Sequence, residues 1–177
     1  MARIMNLRFL LNLKGQLITA VAACLLIGLA VFMFTQNSRA PMLRMALIDG
    51  QVEDSAQWQG KVVVVNFWAT SCPTCVHEMP ALSALFERQH GPDFQMVAVA
   101  MAYDAPARVR HFAAARALPF KVALDARGEI AAGFGDVALT PTTLLIDRNG
   151  RIVERISGAP DLKRLEAKIQ ALIAAPV

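Results

Sequence analysis

Cysteine and histidine are scarce in this chain, with three of each among 177 residues. One cysteine, Cys24, lies inside an apolar run, and His77, His90 and His111 show no paired spacing. A structural zinc site takes four ligands, so Cys72 and Cys75 lack the partners to complete one. Haem attachment needs a histidine directly after Cys-x-x-Cys, and Val76 stands there instead. Acidic residues are missing from the first 34 positions, where Arg3, Arg8 and Lys14 are the only charges. Internal repeats and low-complexity segments are absent too. What remains is one domain of ordinary size, large enough to bury its own core.

What the sequence does hold is apolar. The hydrophobic content is 55 % and the mean hydropathy +0.41, and the N-terminus accounts for much of the excess. Residues 17–34 carry no charge, close to the roughly 20 that span a bilayer core. Basic residues before the run and no acidic ones predict a cytoplasmic N-terminus with everything after Gln36 outside. A cleaved signal sequence ending at Ser38-Arg39-Ala40 is the alternative. Against it, the run exceeds the usual apolar core of about 7–15 residues, and Pro41 would follow the cut. Val21-Ala22-Ala23-Cys24 is only a faint acylation box, because the apolar run continues past it. Cys24 reads as a small buried apolar residue.

The net charge is +4, yet beyond the N-terminal stretch fifteen basic residues face fourteen acidic ones. The pI near 9.3 therefore describes an insertion signal plus a nearly neutral domain, which excludes a nucleic-acid footprint. The organisation expected is a basic cytoplasmic segment at 1–16, a membrane anchor at 17–34, a tether at 35–44 and one domain at 45–177.

Within the domain, β-branched and apolar runs predict strands at 45–48, 62–68, 94–101, 121–124, 142–146 and 151–156. Helical spacing covers 73–90, 105–117, 125–134 and 161–174, with one helical turn at 55–60. Ser55 and Asp104 are expected as N-caps, and Pro80 is expected to kink or break its helix. Alternation of strand and helix implies a parallel core, and the last two strands an antiparallel edge. The class is α/β, a three-layer α/β/α sandwich around a mixed sheet.

Cys72 and Cys75 fall where the 62–68 strand hands over to a helix. In a helix's first turn, Cys72 meets unpaired backbone N–H groups and the positive end of the dipole, both of which stabilise a thiolate. Lowering its pKa from ~8.5 by about 1.5 raises the thiolate fraction near neutral pH roughly tenfold. Cys75, one turn on, lies on the same face and is placed to close a 72–75 disulfide. Cys72 would attack and Cys75 would resolve the mixed disulfide. A purely structural bridge is the bland alternative, but a two-residue loop removes little unfolded-state entropy.

Phe67-Trp68-Ala69, then Cys72-Pro73-Thr74-Cys75, then Glu78-Met79-Pro80 resembles the membrane-tethered, thioredoxin-like TlpA/ResA/CcmG group. Thr140-Pro141-Thr142-Thr143 followed by an apolar strand, Asp147 and Gly150 extends the resemblance, which covers about 45–174. It implies a thioredoxin-like fold, a cis Pro141 beside the cysteine pair that excludes metal, and a Thr140 backbone open to β-pairing with a client. Thr140, Pro141 and Trp68 are thereby expected at the substrate-binding surface. Three positions depart from the pattern. Ser71 stands where many relatives carry Trp. Asn66 replaces the buried aspartate of thioredoxin, and an amide relays no proton. Glu78, three residues after Cys75, is then the nearest candidate for proton transfer, while His77 is expected to face solvent.

The function expected is an extracytoplasmic thiol–disulfide oxidoreductase, a single-pass protein of the bacterial cytoplasmic membrane with its C-terminal domain in the periplasm or outside. It would reduce protein disulfides, apo-cytochrome c among them, be recharged by a membrane or periplasmic electron donor, and use no cofactor or metal beyond its redox-active disulfide. Two other readings are a peroxiredoxin-type thiol peroxidase and a cysteine-based metal chaperone. The first would need Pro and Thr where Val65 and Ala69 stand.

Overall fold

The β-branched run expected as a buried strand is the centre of the sheet in the computed structural model, which describes residues 21, 23–28 and 39–175. The chain divides into two units, Met1–Ser38 and Arg39–Val177. In the first, residues 21 and 23–28 are helical. Most of the expected anchor at 17–34 lies outside the described residues, and among those described no helix is long and apolar enough to cross a membrane.

In the second unit the strands are β1 (Arg44–Ala46), β2 (Val52–Asp54), β3 (Val62–Trp68), β4 (Phe94–Ala100), β5 (Lys121–Leu124), β6 (Thr142–Ile146) and β7 (Ile152–Ser157). The α-helices are α1 (Pro73–Gln89), α2 (Pro106–Ala115), α3 (Glu129–Gly133) and α4 (Leu162–Ala174). Five strands form one mixed sheet in the order β5-β4-β3-β6-β7. β3 pairs in parallel with β4, as does β4 with β5, while β6 pairs antiparallel with both β3 and β7. All seven residues of β3 are buried, as a strand flanked on both edges and covered on both faces requires.

Side-chain alternation along β3 divides the core. Val62, Val64 and Trp68 pack with Cys75, Met79, Leu82 and Leu85 of α1, Val109 of α2, and Leu165 and Ile169 of α4. Val63, Val65 and Phe67 pack on the other side with Met45, Leu47, Trp58, Ile130 and Phe134. That second layer is thin. It consists of the β1–β2 hairpin, a 3-10 turn at Ser55–Trp58 and the five-residue α3.

Several local expectations need correction. β2 was not foreseen; its three residues pair with β1 in a hairpin too short to stand out by period. Asp54, not Ser55, caps the 3-10 turn, accepting from Ala56 N at 2.9 Å. The Ser55 hydroxyl instead accepts from Leu43 N and donates to Pro41 O. Residues 39–43, expected within the tether, are thus bound to the domain, and Ala40 N also donates to Gly150 O. α1 runs unbroken through Pro80, which is exposed. Solvent can satisfy the carbonyl it leaves free, while buried Met79 and Leu82 hold the helix down. Asp104 caps nothing in α2, which starts after Ala105 without a side-chain cap.

Candidate active site

The exchange site is built at the C-terminal end of β3. Beyond Trp68 the backbone turns, with Cys72 N donating to Ala69 O at 3.1 Å. Pro73 then opens α1 at a position where a missing N–H costs nothing. Cys72 is the N-cap residue, and its Sγ accepts from Cys75 N at 3.2 Å. The sulfur that would bear a thiolate charge therefore already faces a helix N-terminal donor. Cys72 and Cys75 are disulfide-bonded with their Cα atoms 5.3 Å apart. Cys75 is wholly buried, whereas Cys72 is half-buried among exposed Ser71, Pro73 and Thr74. Only Cys72 is within reach of another molecule's sulfur.

Under the pair lies a buried polar group of three. Asn66 and Thr143 face each other across the β3–β6 pairing, and Glu78 comes down from α1 one turn after Cys75. Asn66 Nδ2 donates to Glu78 Oε1 and to Thr143 Oγ1, each at 3.1 Å. Burial raises the Glu78 pKa from 4.5 to about 7, and the Asn66 bond holds it back in part. A carboxyl that titrates there can both take and give a proton near neutral pH.

Two further loops meet at this end of the sheet. The Thr140–Pro141 peptide is cis. Phe67 opposes Thr142 in the β3–β6 register, so Pro141 falls next to the level of Trp68. Its carbonyl accepts from Gly158 N. Neither backbone polar group of Thr140 has a hydrogen bond among the described residues. The Thr140 hydroxyl lies 3.3 Å from that of exposed Tyr103. Next to Tyr103, Asp104 accepts from Thr70 N at 2.5 Å and from Thr70 Oγ1 at 2.7 Å, tying the β4–α2 loop to the loop that carries Cys72.

Trp68, expected at the substrate surface, is fully buried, with its ring 5.1 Å from that of Phe112. It supports the site from below and offers a client no surface. His77 and Ser71 are exposed. Sequence reasoning missed Thr143 as a partner of Asn66 and Asp104 as an anchor of Thr70. Both pairs are separated by more than thirty residues and depend on strand register and loop placement. The nearest signal was the second threonine of Thr142-Thr143, placed by strand alternation on the same face as Asn66.

Such a pair opens to an incoming sulfur at Cys72 alone, and it sits on a five-stranded sheet in which β6 alone runs against the other strands. The class is that of thiol–disulfide oxidoreductases with a thioredoxin-like fold. Comparison with known proteins narrows it. The sequence profile of the Redoxin family matches residues 35–171. The thiol–disulfide oxidoreductase ResA of Bacillus cereus is 30% identical over 136 residues, 77% of this chain and 78% of that protein. The crystal structure of a secreted disulfide oxidoreductase of Mycobacterium tuberculosis superposes with a TM-score of 0.66 at 25% identity, covering 74% of this chain and 96% of that one. A thiol:disulfide interchange protein of Chlorobium tepidum shares the fold with a TM-score of 0.71 at 23% identity, over 77% of this chain and 97% of that one. This chain belongs to the Redoxin family and, within it, is a TlpA/ResA/CcmG-like thiol–disulfide oxidoreductase.

Proposed function

We propose that the protein is a membrane-anchored, extracytoplasmic reductant of protein disulfides, apo-cytochrome c among its clients, recharged by a membrane or periplasmic electron donor. The observation that carries this reading is the asymmetry of the pair: one reachable sulfur at a helix N-terminus, one buried sulfur above a carboxyl that titrates near neutrality. The uncharged run 17–34 with basic residues before it supports the anchor and the outside location. The working group is the dithiol itself, with no metal or other cofactor.

In the reduced protein the Cys72 thiolate attacks one sulfur of the client disulfide, and the other client sulfur leaves as a thiolate. The free backbone N–H and C=O of Thr140, beside Pro141, hold the client segment as an added strand. Cys75 then gives up its proton to Glu78 and attacks Cys72 Sγ. The Cys72–client bond breaks, the electron pair leaves on the client sulfur, and that sulfur is protonated by water. Two electrons have passed to the client, and the 72–75 disulfide remains for the donor to reduce.

The test is a pair of variants. Cys72→Ser should abolish reduction of insulin disulfides, and Cys75→Ser should accumulate mixed disulfides with clients in cells. Exported proteins with paired cysteines should dominate that trapped set. Full insulin reduction by Cys72→Ser would refute the mechanism, and a trapped set of cytoplasmic proteins would refute the location.

A further inference from the structure

A buried amide joins the two strands and the helix that carry the exchange site, and two oxygens beside it lack partners. Asn66 is 1 % exposed, Thr143 1 % and Glu78 6 %. Both bonds from Asn66 Nδ2 are 3.1 Å, one to Glu78 Oε1 and one to Thr143 Oγ1. An amide nitrogen has two hydrogens, so both are committed. Asn66 Oδ1 and Glu78 Oε2 have no hydrogen-bond partner among the described residues. In a neutral carboxyl the accepting oxygen is the carbonyl-like one, so the proton of neutral Glu78 resides on Oε2.

We propose, on the footing of the exchange reaction above, that Asn66 is a positioning residue which fixes Glu78 through Oε1 and leaves Oε2 as the atom that exchanges a proton with Cys75. Cys75 and Glu78 are three residues apart on α1, which puts their side chains on one face, with Cβ atoms about 5–6 Å apart. During resolution the Cys75 S–H bond breaks and an O–H bond forms on Oε2. When the donor reopens the disulfide, that proton returns to the Cys75 sulfur. Thr143 serves by accepting the second amide hydrogen, which stops the amide from turning its oxygen towards Glu78.

The neighbours of Glu78 make this a single-group titration. β3 brings Asn66 to Glu78, and β6 brings Thr143 to Asn66. Burial and the Asn66 bond are the causes of the shifted Glu78 titration, with no charged group among them, which leaves Cys75, once reduced, as the titrating neighbour on α1. An aspartate at position 66 would instead place a second carboxyl there and split one proton between two coupled groups. The amide keeps the hydrogen bond and removes the competition.

The experiment follows the Glu78 side-chain carboxyl by 13C NMR in the full-length disulfide form in detergent micelles, the signal being assigned by its loss in Glu78→Gln. In Asn66→Leu the titration midpoint should rise by about one pH unit, because the lost bond favours the ionised form. The pH midpoint for mixed-disulfide resolution should rise with it. Thr143→Val should move both the same way by less, and it decides the matter alone if Asn66→Leu does not fold. An unmoved midpoint with a rate lowered equally at every pH would assign Asn66 a purely structural role and overturn the proposal. Failure of the wild type to reduce insulin would instead sink the exchange reaction, while the NMR midpoint still reports on Asn66.

Discussion

Burial lifts the Glu78 carboxyl from 4.5 to about 7, and the bond from Asn66 opposes that rise without cancelling it. The folded protein therefore binds this proton more tightly than the unfolded chain. Its contribution to stability is complete below the unfolded value of 4.5 and disappears as pH rises through about 7. Linkage puts the loss between pH 4.5 and pH 8 at no more than about 3 kcal/mol, less where solvent screens the carboxylate. That is a sizeable fraction of the roughly 5–15 kcal/mol by which domains are stable, and it accompanies a group whose charge changes near neutral pH. Glu78→Gln keeps the shape and removes the titration. Urea unfolding of the disulfide form at several pH values should show the wild type weakening from acid to alkaline pH, with Glu78→Gln nearly flat across the same window. Parallel curves for the two proteins would mean that Glu78 is far better hydrated than its burial indicates.

At the scale of elements, the site depends on how firmly the Cys72 loop is seated on β3 and α1. Much of this was legible in the sequence. The run 62–68 reads as a buried strand because six of its seven positions are apolar, all but Asn66, and Pro73 after Cys72 marks a helix start by its fixed φ. The continuity of α1 through Pro80 was not legible, since it depends on which side of the helix the proline faces. Asp104 was legible only as a cap, the local role its type prefers next to a helix start. Its actual partner, Thr70, lies across the sheet end, and nothing in the spacing announces it. Removing that carboxylate in Asp104→Ala strips two acceptors from Thr70 and should cost about 1–3 kcal/mol of stability. It should also slow attack by Cys72, because the loop ahead of the helix loses its anchor. Asp104→Asn can still accept from Thr70 N and donate to Thr70 Oγ1, so it should recover most of both. Denaturant unfolding and single-turnover insulin reduction check the pair, and equal loss in the two variants would deny the clamp its role.

For the whole molecule, the parallel core and antiparallel edge follow from the order of elements, whereas the thin second layer does not. That layer is assembled from short pieces, each below the length at which periodicity can be read, and their docking is set by contacts distant in sequence. Glu53 is the clearest case: a buried carboxylate in a three-residue strand, it accepts from Trp58 Nε1 at 2.7 Å, from Lys121 Nζ at 2.5 Å, and from Gln95. The same layer explains why the domain starts earlier than the polar composition of 35–44 suggests. Pro41 and Leu43 approach Gly133 so closely that a Cβ there would meet Leu43 Cδ1 at 3.0 Å. Around them, Ala40 N binds Gly150 O, Leu43 N binds the Ser55 hydroxyl, and Ser55 N binds Leu43 O. Four hydrogen bonds, the Ser55 hydroxyl to Pro41 O among them, at about 0.5–1 kcal/mol each, and one partly buried leucine at about 1–2 kcal/mol make this segment part of the fold rather than a leash. A chain that begins at Arg39 should therefore unfold at the same urea concentration as one that begins at residue 35. One that begins at Met45 should lose about 3–5 kcal/mol while keeping the Cys72–Cys75 chemistry in whatever fraction stays folded. Equal stability of the Arg39 and Met45 chains would show that 39–43 merely rests on the surface of α3 and the β6–β7 turn.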